Sequence, residues 1–404
     1  MKILYVLPYV PWPVKVNAFN LIPRLARRHE IHLVSVSNQD PSAEQAEWIG
    51  SHCETAVHVN HGKWQSVIGC ALALPTRTPL RLAYCRSRRA RAAVKNVCMN
   101  VRPDVVCVER WRALEFVPRD LRVPLVTYPI DSMTLYNRRM KEAGAWWEKL
   151  LGSEEHWKFS RYEGELARRG DVTVFCSRMD LECVRKQAPD AHYQLLPNGV
   201  DCESFFFKEE REEEPGTMVF AGSFRYRPNC HAVEYFLDEI FPLIRREVPQ
   251  ARFRAVGNGA GKALARHRGK AGFEIIDFVP DLRPYLAKAQ VTVAPLTIGS
   301  GVSNKLGEGF AVGTPVVATP LACGDLPVKS GEEILIAENA RDFAEHVVKL
   351  LKDPRLRRQM AVRARQLVES KYDWEVVSTK MECVMGELVE GMRGTKSEHL
   401  FATA

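Results

Sequence analysis

VTVAPLTIGSGVSNKLGEGFAVGTPVVAT, residues 291–319, is the stretch from which the rest of the chain is read. An apolar run from Val291 to Leu296 predicts a strand, and Gly299-Ser300-Gly301 a loop. A helical pattern follows from Ser303 to Val312, then Gly313-Thr314-Pro315, then a second strand at Val316 to Thr319. Strand, glycine loop, helix, strand is the grammar of a parallel sheet in an α/β protein. In such sheets the ligand sits beyond the carboxyl ends of the strands. Gly299 and Gly301 let backbone amides approach it, and the helix points its positive end the same way. That combination suits a diphosphate. Lys305 and Glu308 share one helical face and offer a cation for phosphate and an acceptor for ribose hydroxyls.

Outward from this stretch the same alternation recurs. Towards the N-terminus, Lys2–Leu7, Ile31–Val36, Asp104–Val108 and Pro124–Tyr128 read as buried strands. Pro23 conflicts with a long straight helix between the first two, and fits one that begins near Asn20. Polar residues follow the later strands, Glu109-Arg110 and then Asp131-Ser132, where an open sheet presents its ligand crevice. Asp131 reads either as a crevice carboxylate or as the N-cap of a helix from Met133 to Met140. Residues 141–170, rich in Trp, Arg and Glu, read as a long helix, with His156 structural.

Val172–Cys176 reads as another strand, and Pro197-Asn198-Gly199 as a tight turn. Lys208–Pro215, KEEREEEP, reads as a charged connector, which puts a domain boundary at 197–215. Met218–Ala221 then restarts the alternation, with Gly222-Ser223 and the basic pair Arg225 and Arg227 after it. Phe253–Val256 leads into Gly257-Asn258-Gly259, and Phe278-Val279 ends the strand before the organising stretch.

Composition bounds these readings. At 404 residues there is room for two or three domains, and 46% hydrophobic with 26% charged residues is ordinary for a globular protein. The net charge of +8 favours anionic partners. Eleven cysteines without a C-x-x-C pair, and a start that runs straight into a strand, read as reduced thiols in the cytoplasm. No apolar run reaches the roughly 20 residues of a membrane span. Residues 81–99, RLAYCRSRRARAAVKNVCM, hold no acid. On a helix they gather Ala90, Val94, Val97 and Cys98 on one face and Arg88, Arg91 and Lys95 on another. They read equally as an interfacial helix on anionic lipid and as the solvated basic face of an ordinary surface helix. The run has no interleaved aromatics, which argues against nucleic acid.

The string Glu308 with Ala311-Val312-Gly313-Thr314-Pro315-Val316-Val317 resembles the signature of the family 4 glycosyltransferases, whose architecture is GT-B. Ser300 stands where the common motif has a first glutamate. The pattern APL with G-x-x-N-K-x-x-E, Asn304 and Lys305 included, is similar to a subset of sugar transferases of exopolysaccharide systems. Pro197-Asn198-Gly199-Val200-Asp201 is similar to the family's crossover between domains, and Gly222-Ser223-x-x-Tyr226-x-Pro228-Asn229 to the same subset's phosphate loop. Val14-Lys15-Val16-Asn17 stands where the family has a glycine pair.

The resemblance implies an α/β fold of two Rossmann-like domains, their parallel sheets facing a central cleft. The first, 1–196, would take the acceptor, and the second, 197–371, the donor. A helix at 372–391 would cross back, leaving a tail at 392–404. It further implies a retaining, metal-independent hexosyltransferase with a nucleotide diphosphate sugar as co-substrate and no cofactor. Donor contacts would come from Gly222, Ser223, Arg225, Arg227, Phe278, Val279, Ser300, Gly301, Asn304, Lys305 and Glu308. Asp131, with Glu109 beside it, would act near the anomeric centre. The acceptor would be a glycan, a lipid-linked sugar or a small molecule, in surface polysaccharide or glycoconjugate synthesis at the inner face of the cytoplasmic membrane. Two other readings share the fold: a non-hydrolysing nucleotide-sugar epimerase, and a catalytically silent GT-B partner subunit.

Overall fold

Thirteen short strands form among the described residues, and they sort into two parallel sheets. The computed structural model describes residues 1–13, 16–143, 146–208, 211–298 and 304–401. For 63, 65, 139–143, 146–151, 304 and 393–401 it describes the backbone alone. These residues form two compact units, one of Met1–Pro197 with Val377–Ala404, the other of Asn198–Val376.

The first unit holds β1 (Lys2–Leu7), β2 (Glu30–Ser37), β3 (Thr55–Asn60), β4 (Val105–Glu109), β5 (Leu125–Ile130), β6 (Val172–Phe175) and β7 (Tyr193–Leu195), in the order β3-β2-β1-β4-β5-β6-β7. Ile3 lies opposite both Ile31 and Val105, so β1 is central, and every residue from Ile3 to Leu7 is buried. Burial on both faces explains why the inner strands β1, β4, β5 and β6 read as mostly apolar runs instead of alternating ones. The strand order reverses between β1 and β4. The helix after β1 spans Val16–Ala26 with Pro23 inside it, beginning a turn earlier than the sequence suggests.

The second unit repeats the plan with β8 (Thr217–Ala221), β9 (Arg252–Val256), β10 (Phe273–Ile276), β11 (Val291–Ala294), β12 (Val316–Ala318) and β13 (Leu335–Ile336). Their order, β10-β9-β8-β11-β12-β13, reverses between β8 and β11. An aromatic cluster fills one side of this sheet, with Phe236 and Phe253 ring centres 4.4 Å apart and Phe343 edge-on to Phe236.

Two connecting segments differ from their sequence reading. The end of the charged connector is docked, not solvated. Glu213 lies 2.6 Å from Arg211 and 2.6 Å from Arg357, and Arg211 also donates to Thr314 Oγ1. Burial of their stems makes these guanidiniums part of the packing. The C-terminal helix spans Trp374–Phe401, continuing through residues that the sequence assigns to a tail. Its buried stripe of Val377, Met381, Met385 and Val389 belongs to the first unit.

Candidate active site

In the second unit the strand order changes direction beside β8, and the chain leaves that strand through Gly222 and Ser223. The helix Asn304–Val312 follows β11 and brings Lys305 to the same place. A side chain at Gly222 would come within 2.8 Å of Lys305 Cε and 2.9 Å of Asn229 Nδ2, so the glycine lets the lysine tip lie where it does. The Lys305 ammonium lies 5.2 Å from the centre of the Phe220 ring, over its face. Burial lowers this ammonium to about 8, against the pull of Glu308, and raises the Glu308 carboxyl to about 7. Burial thus moves the two groups in opposite directions, the lysine down and the carboxyl up.

The neighbouring loops are tied together. Asn229, buried at the start of the helix Arg227–Tyr235, donates to the Ser223 carbonyl at 2.7 Å. His231 on that helix and Thr297 beyond β11 share a hydrogen bond of 3.0 Å. Gly259 N–H donates to Asp277 at 2.7 Å, which closes the turn at the end of β10. Asn229 entered the sequence reading only as the last residue of the Gly-Ser-x-x-Tyr-x-Pro-Asn pattern, and His231 and Thr297 carried no signal there.

The named donor residues fall into three groups. Gly222, Lys305 and Glu308 come together. Ser223, Arg225 and Arg227 are exposed around them, and neither arginine meets a carboxylate within 4 Å among the described residues. Phe278 stands at the end of β10 and is 72% exposed, while Val279 packs beside Val219 and Val256. Ser300 and Gly301 lie outside the described residues, as does the side chain of Asn304.

In the first unit a cavity of about 540 Å³ lies beyond the ends of β4 and β5, lined by Arg110, Trp111, Asp131 and Tyr136 among others. Arg110 and Asp131 pair across it at 3.4 Å, both partly exposed. Arg110 (φ 70°) and Ile130 (φ 74°) are held in the left-handed region at the ends of adjacent strands. For a β-branched residue such as Ile130 this is strained, and such strain concentrates at functional sites. Glu163 holds the turn in place. Buried on the helix Trp146–Ala167, its carboxylate accepts from Trp111 Nε1, the Ser132 and Thr134 hydroxyls, and the Met133 and Thr134 amides, at 2.6 to 3.1 Å.

Ser132, not Asp131, caps the following helix, its Oγ accepting from Leu135 N–H at 3.3 Å. The capping role once open to Asp131 is therefore taken, and its carboxylate faces the cavity. Glu109 is different. It is 1% exposed and accepts from the Tyr9 hydroxyl beneath the strand ends, so it supports the site instead of facing it.

Residues 14–204 match the family described as Glycosyltransferase Family 4, and residues 215–353 match the one described as Glycosyl transferases group 1. Together the two matches take in most of the chain. It belongs to the family 4 glycosyltransferases.

Among relatives of this glycosyltransferase is an uncharacterised 44.6 kDa protein in the cps region of Klebsiella pneumoniae. The two are 19% identical over 297 residues, 70% of this chain and 75% of the other. Solved structures of similar fold include sucrose-phosphate synthase from Thermosynechococcus elongatus, with a TM-score of 0.67, 15% identity and full coverage of both chains. Another is Anabaena HepE in complex with UDP-glucose, with a TM-score of 0.63, 12% identity and coverage of 96% of this chain and 100% of that one. The GT-B fold implied by the signature at 291–319 is thus the fold of this glycosyltransferase, with both sheets parallel. No helix among the described residues is long and apolar enough to cross a membrane.

Proposed function

We propose that the chain is a retaining glycosyltransferase that takes a sugar from a nucleotide diphosphate sugar, without a metal ion. The observation that carries this reading is the seating of the Lys305 ammonium against Gly222 where the strand order reverses. A fixed cation there stabilises charge on the departing diphosphate without having to reorganise. Arg225 and Arg227 add cations at its rim, Glu308 accepts from ribose, and Phe278 and Val279 meet the base. The bond between the anomeric carbon and the diphosphate oxygen breaks, its electron pair leaving with the diphosphate. An acceptor hydroxyl oxygen bonds to that carbon and its proton passes to the leaving group. Asp131, from the cavity of the first unit, orients the acceptor hydroxyl or the donor sugar, and Glu109 positions the strand end beneath it.

Similarity to a solved complex with UDP-glucose supports a nucleotide sugar as donor, and a relative from a cps region supports a role in surface polysaccharide synthesis. The acceptor is a glycan, lipid-linked or small-molecule hydroxyl, met at the cytoplasmic face of an anionic membrane. For that contact the charge of residues 81–99 is available and their apolar face is not. Ala90, Val94, Val97 and Cys98 are buried in the first unit's core. The test is thermal stabilisation of the purified protein against a panel of nucleotide diphosphates and nucleotide sugars. One base should raise the melting temperature, and Lys305→Ala should reduce the rise. No rise across the panel, at concentrations far above ordinary affinities, would overturn the donor site.

A further inference from the structure

The helix Lys63–Ala73 is built inside out. Trp64, Val67, Ile68 and Leu72 recur at the spacing of one helical face, and that face is exposed, with Trp64 at 81% and Leu72 at 72%. Leu74, just past the helix, continues it. The inward face is small: Ser66, Gly69, Cys70 and Ala73. A side chain at Gly69 would come within 2.7 Å of the Ala83 carbonyl oxygen, so the helix backbone sits directly on its neighbour. Its carboxyl end is held as well. Lys158, 2% exposed, donates to the carbonyls of Ala73 and Leu74 at 3.1 and 3.4 Å and pairs with Glu154 at 2.6 Å. The apolar face is therefore fixed and presented outward, where an ordinary surface helix would turn it inward.

Charge around this helix is equally one-sided. Between Glu54 and Asp104 there are nine lysines and arginines and no acid. The chain as a whole carries +8, so this segment holds all of its net positive charge. Arg77, Arg88, Arg89 and Lys95 are exposed and face no carboxylate within 4 Å among the described residues. An apolar strip beside unpaired cations matches a surface that offers acyl chains beneath anionic headgroups. A second copy of the chain fits poorly, because a two-fold contact would oppose this charge to itself.

We propose that the helix Lys63–Ala73 lies in the plane of an anionic membrane, with Trp64, Val67, Ile68 and Leu72 among the acyl chains and the basic residues of 77–95 at the headgroups. The electrostatic half rests on the membrane contact proposed above; the inserting helix goes beyond it. Cys70, Leu80, Arg81, Leu82 and Tyr84 also wall the cavity that holds Arg110 and Asp131, so the docking surface and that cavity share a boundary.

Flotation of the full chain with vesicles tests this. Mixed phosphatidylcholine–phosphatidylglycerol vesicles should carry the protein far better than pure phosphatidylcholine. Ile68→Asp with Leu72→Asp should reduce partitioning at least about tenfold at both low and high salt. Arg88→Glu with Arg89→Glu should reduce it at low salt and match the wild type at high salt, where screening removes the charge contribution. Vesicles should shift the fluorescence of the wild type to the blue, and Trp64→Phe should lose that shift. Both double variants should keep the nucleotide-induced thermal shift, which shows that they fold. Flotation of the aspartate variant equal to wild type would overturn the proposal. So would a wild-type dimer that this variant dissociates while neither binds vesicles. If nucleotides fail to stabilise even the wild type but the flotation pattern holds, the donor reading falls and the membrane surface stands.

Discussion

At Lys305 and Glu308 burial acts in opposite directions on two charges one helical turn apart. The lysine sits at about 8 and the glutamate at about 7. Below about 8 the ammonium is charged and above about 7 the carboxylate is, and in the proposed donor site the first meets the diphosphate and the second accepts from ribose. Nucleotide diphosphate affinity, measured by calorimetry, should therefore peak between these values and fall on both sides. Above pH 8 binding should take up a proton, because the diphosphate holds Lys305 charged. Glu308→Gln should flatten the acid limb and move the base limb to lower pH, because Lys305 then loses the pull of the carboxylate. Lys305→Ala should weaken binding by about 1.5–3 kcal/mol, the usual worth of a hydrogen bond to a charged group. Asp131 belongs to a different step. Asp131→Ala should lower turnover by about 10² or more while free nucleotide affinity stays within about twofold. A parallel loss of nucleotide affinity would put Asp131 in the donor site instead.

Among the elements, the inner strands were the most legible, because a parallel strand buried on both faces reads as an apolar run, while β3, β7 and β13, short or partly exposed, were not read. The junction after β8 was legible too, since a side chain at Gly222 would crowd the tip of Lys305 and the Asn229 amide. The helix Lys63–Ala73 was not. Its apolar spacing is that of a core helix, and only the burial of Ser66 and Ala73 in place of Trp64 and Ile68 reveals its orientation. His231 and Thr297, 66 residues apart, are joined by folding and by nothing in their spacing. The connector was misread because a run of charge looks solvated until its partners are known. Burial alone would raise the Glu213 carboxyl, but the hydrogen bond from Arg357 and the charge of Arg211 outweigh it and hold it low. A carboxyl depressed on folding stabilises above its unfolded value of about 4.3, and that contribution vanishes as pH falls through the folded value. Arg357→Met should thus lower stability by about 3 kcal/mol at neutral pH, by leaving Glu213 and Arg211 imperfectly paired. In urea titrations the gap between variant and wild type should narrow below pH 4.

At the scale of the whole molecule the chain crosses its own domain plan once at each end of the second unit. It enters that unit at Asn198 and leaves it within the helix Trp374–Phe401, whose residues from Val377 onward belong to the first. That helix is anchored there by Met381 and Met385, both fully buried, and by Glu382, which lies 2.6 Å from Arg28 and 2.9 Å from His29. The first unit is thus assembled from two distant pieces of sequence, while the second is continuous. Ligand and core should consequently act on different transitions in scanning calorimetry. A nucleotide that binds at Lys305 stabilises the second unit by mass action. Met381→Ala with Met385→Ala empties two core positions of the first, each worth about 2–5 kcal/mol. Saturating nucleotide should raise one transition and leave the other in place, and the double methionine variant should lower the one that nucleotide leaves untouched. A single transition that moves with both would mean that the two units unfold together, and that the energy of the donor site is shared across the chain.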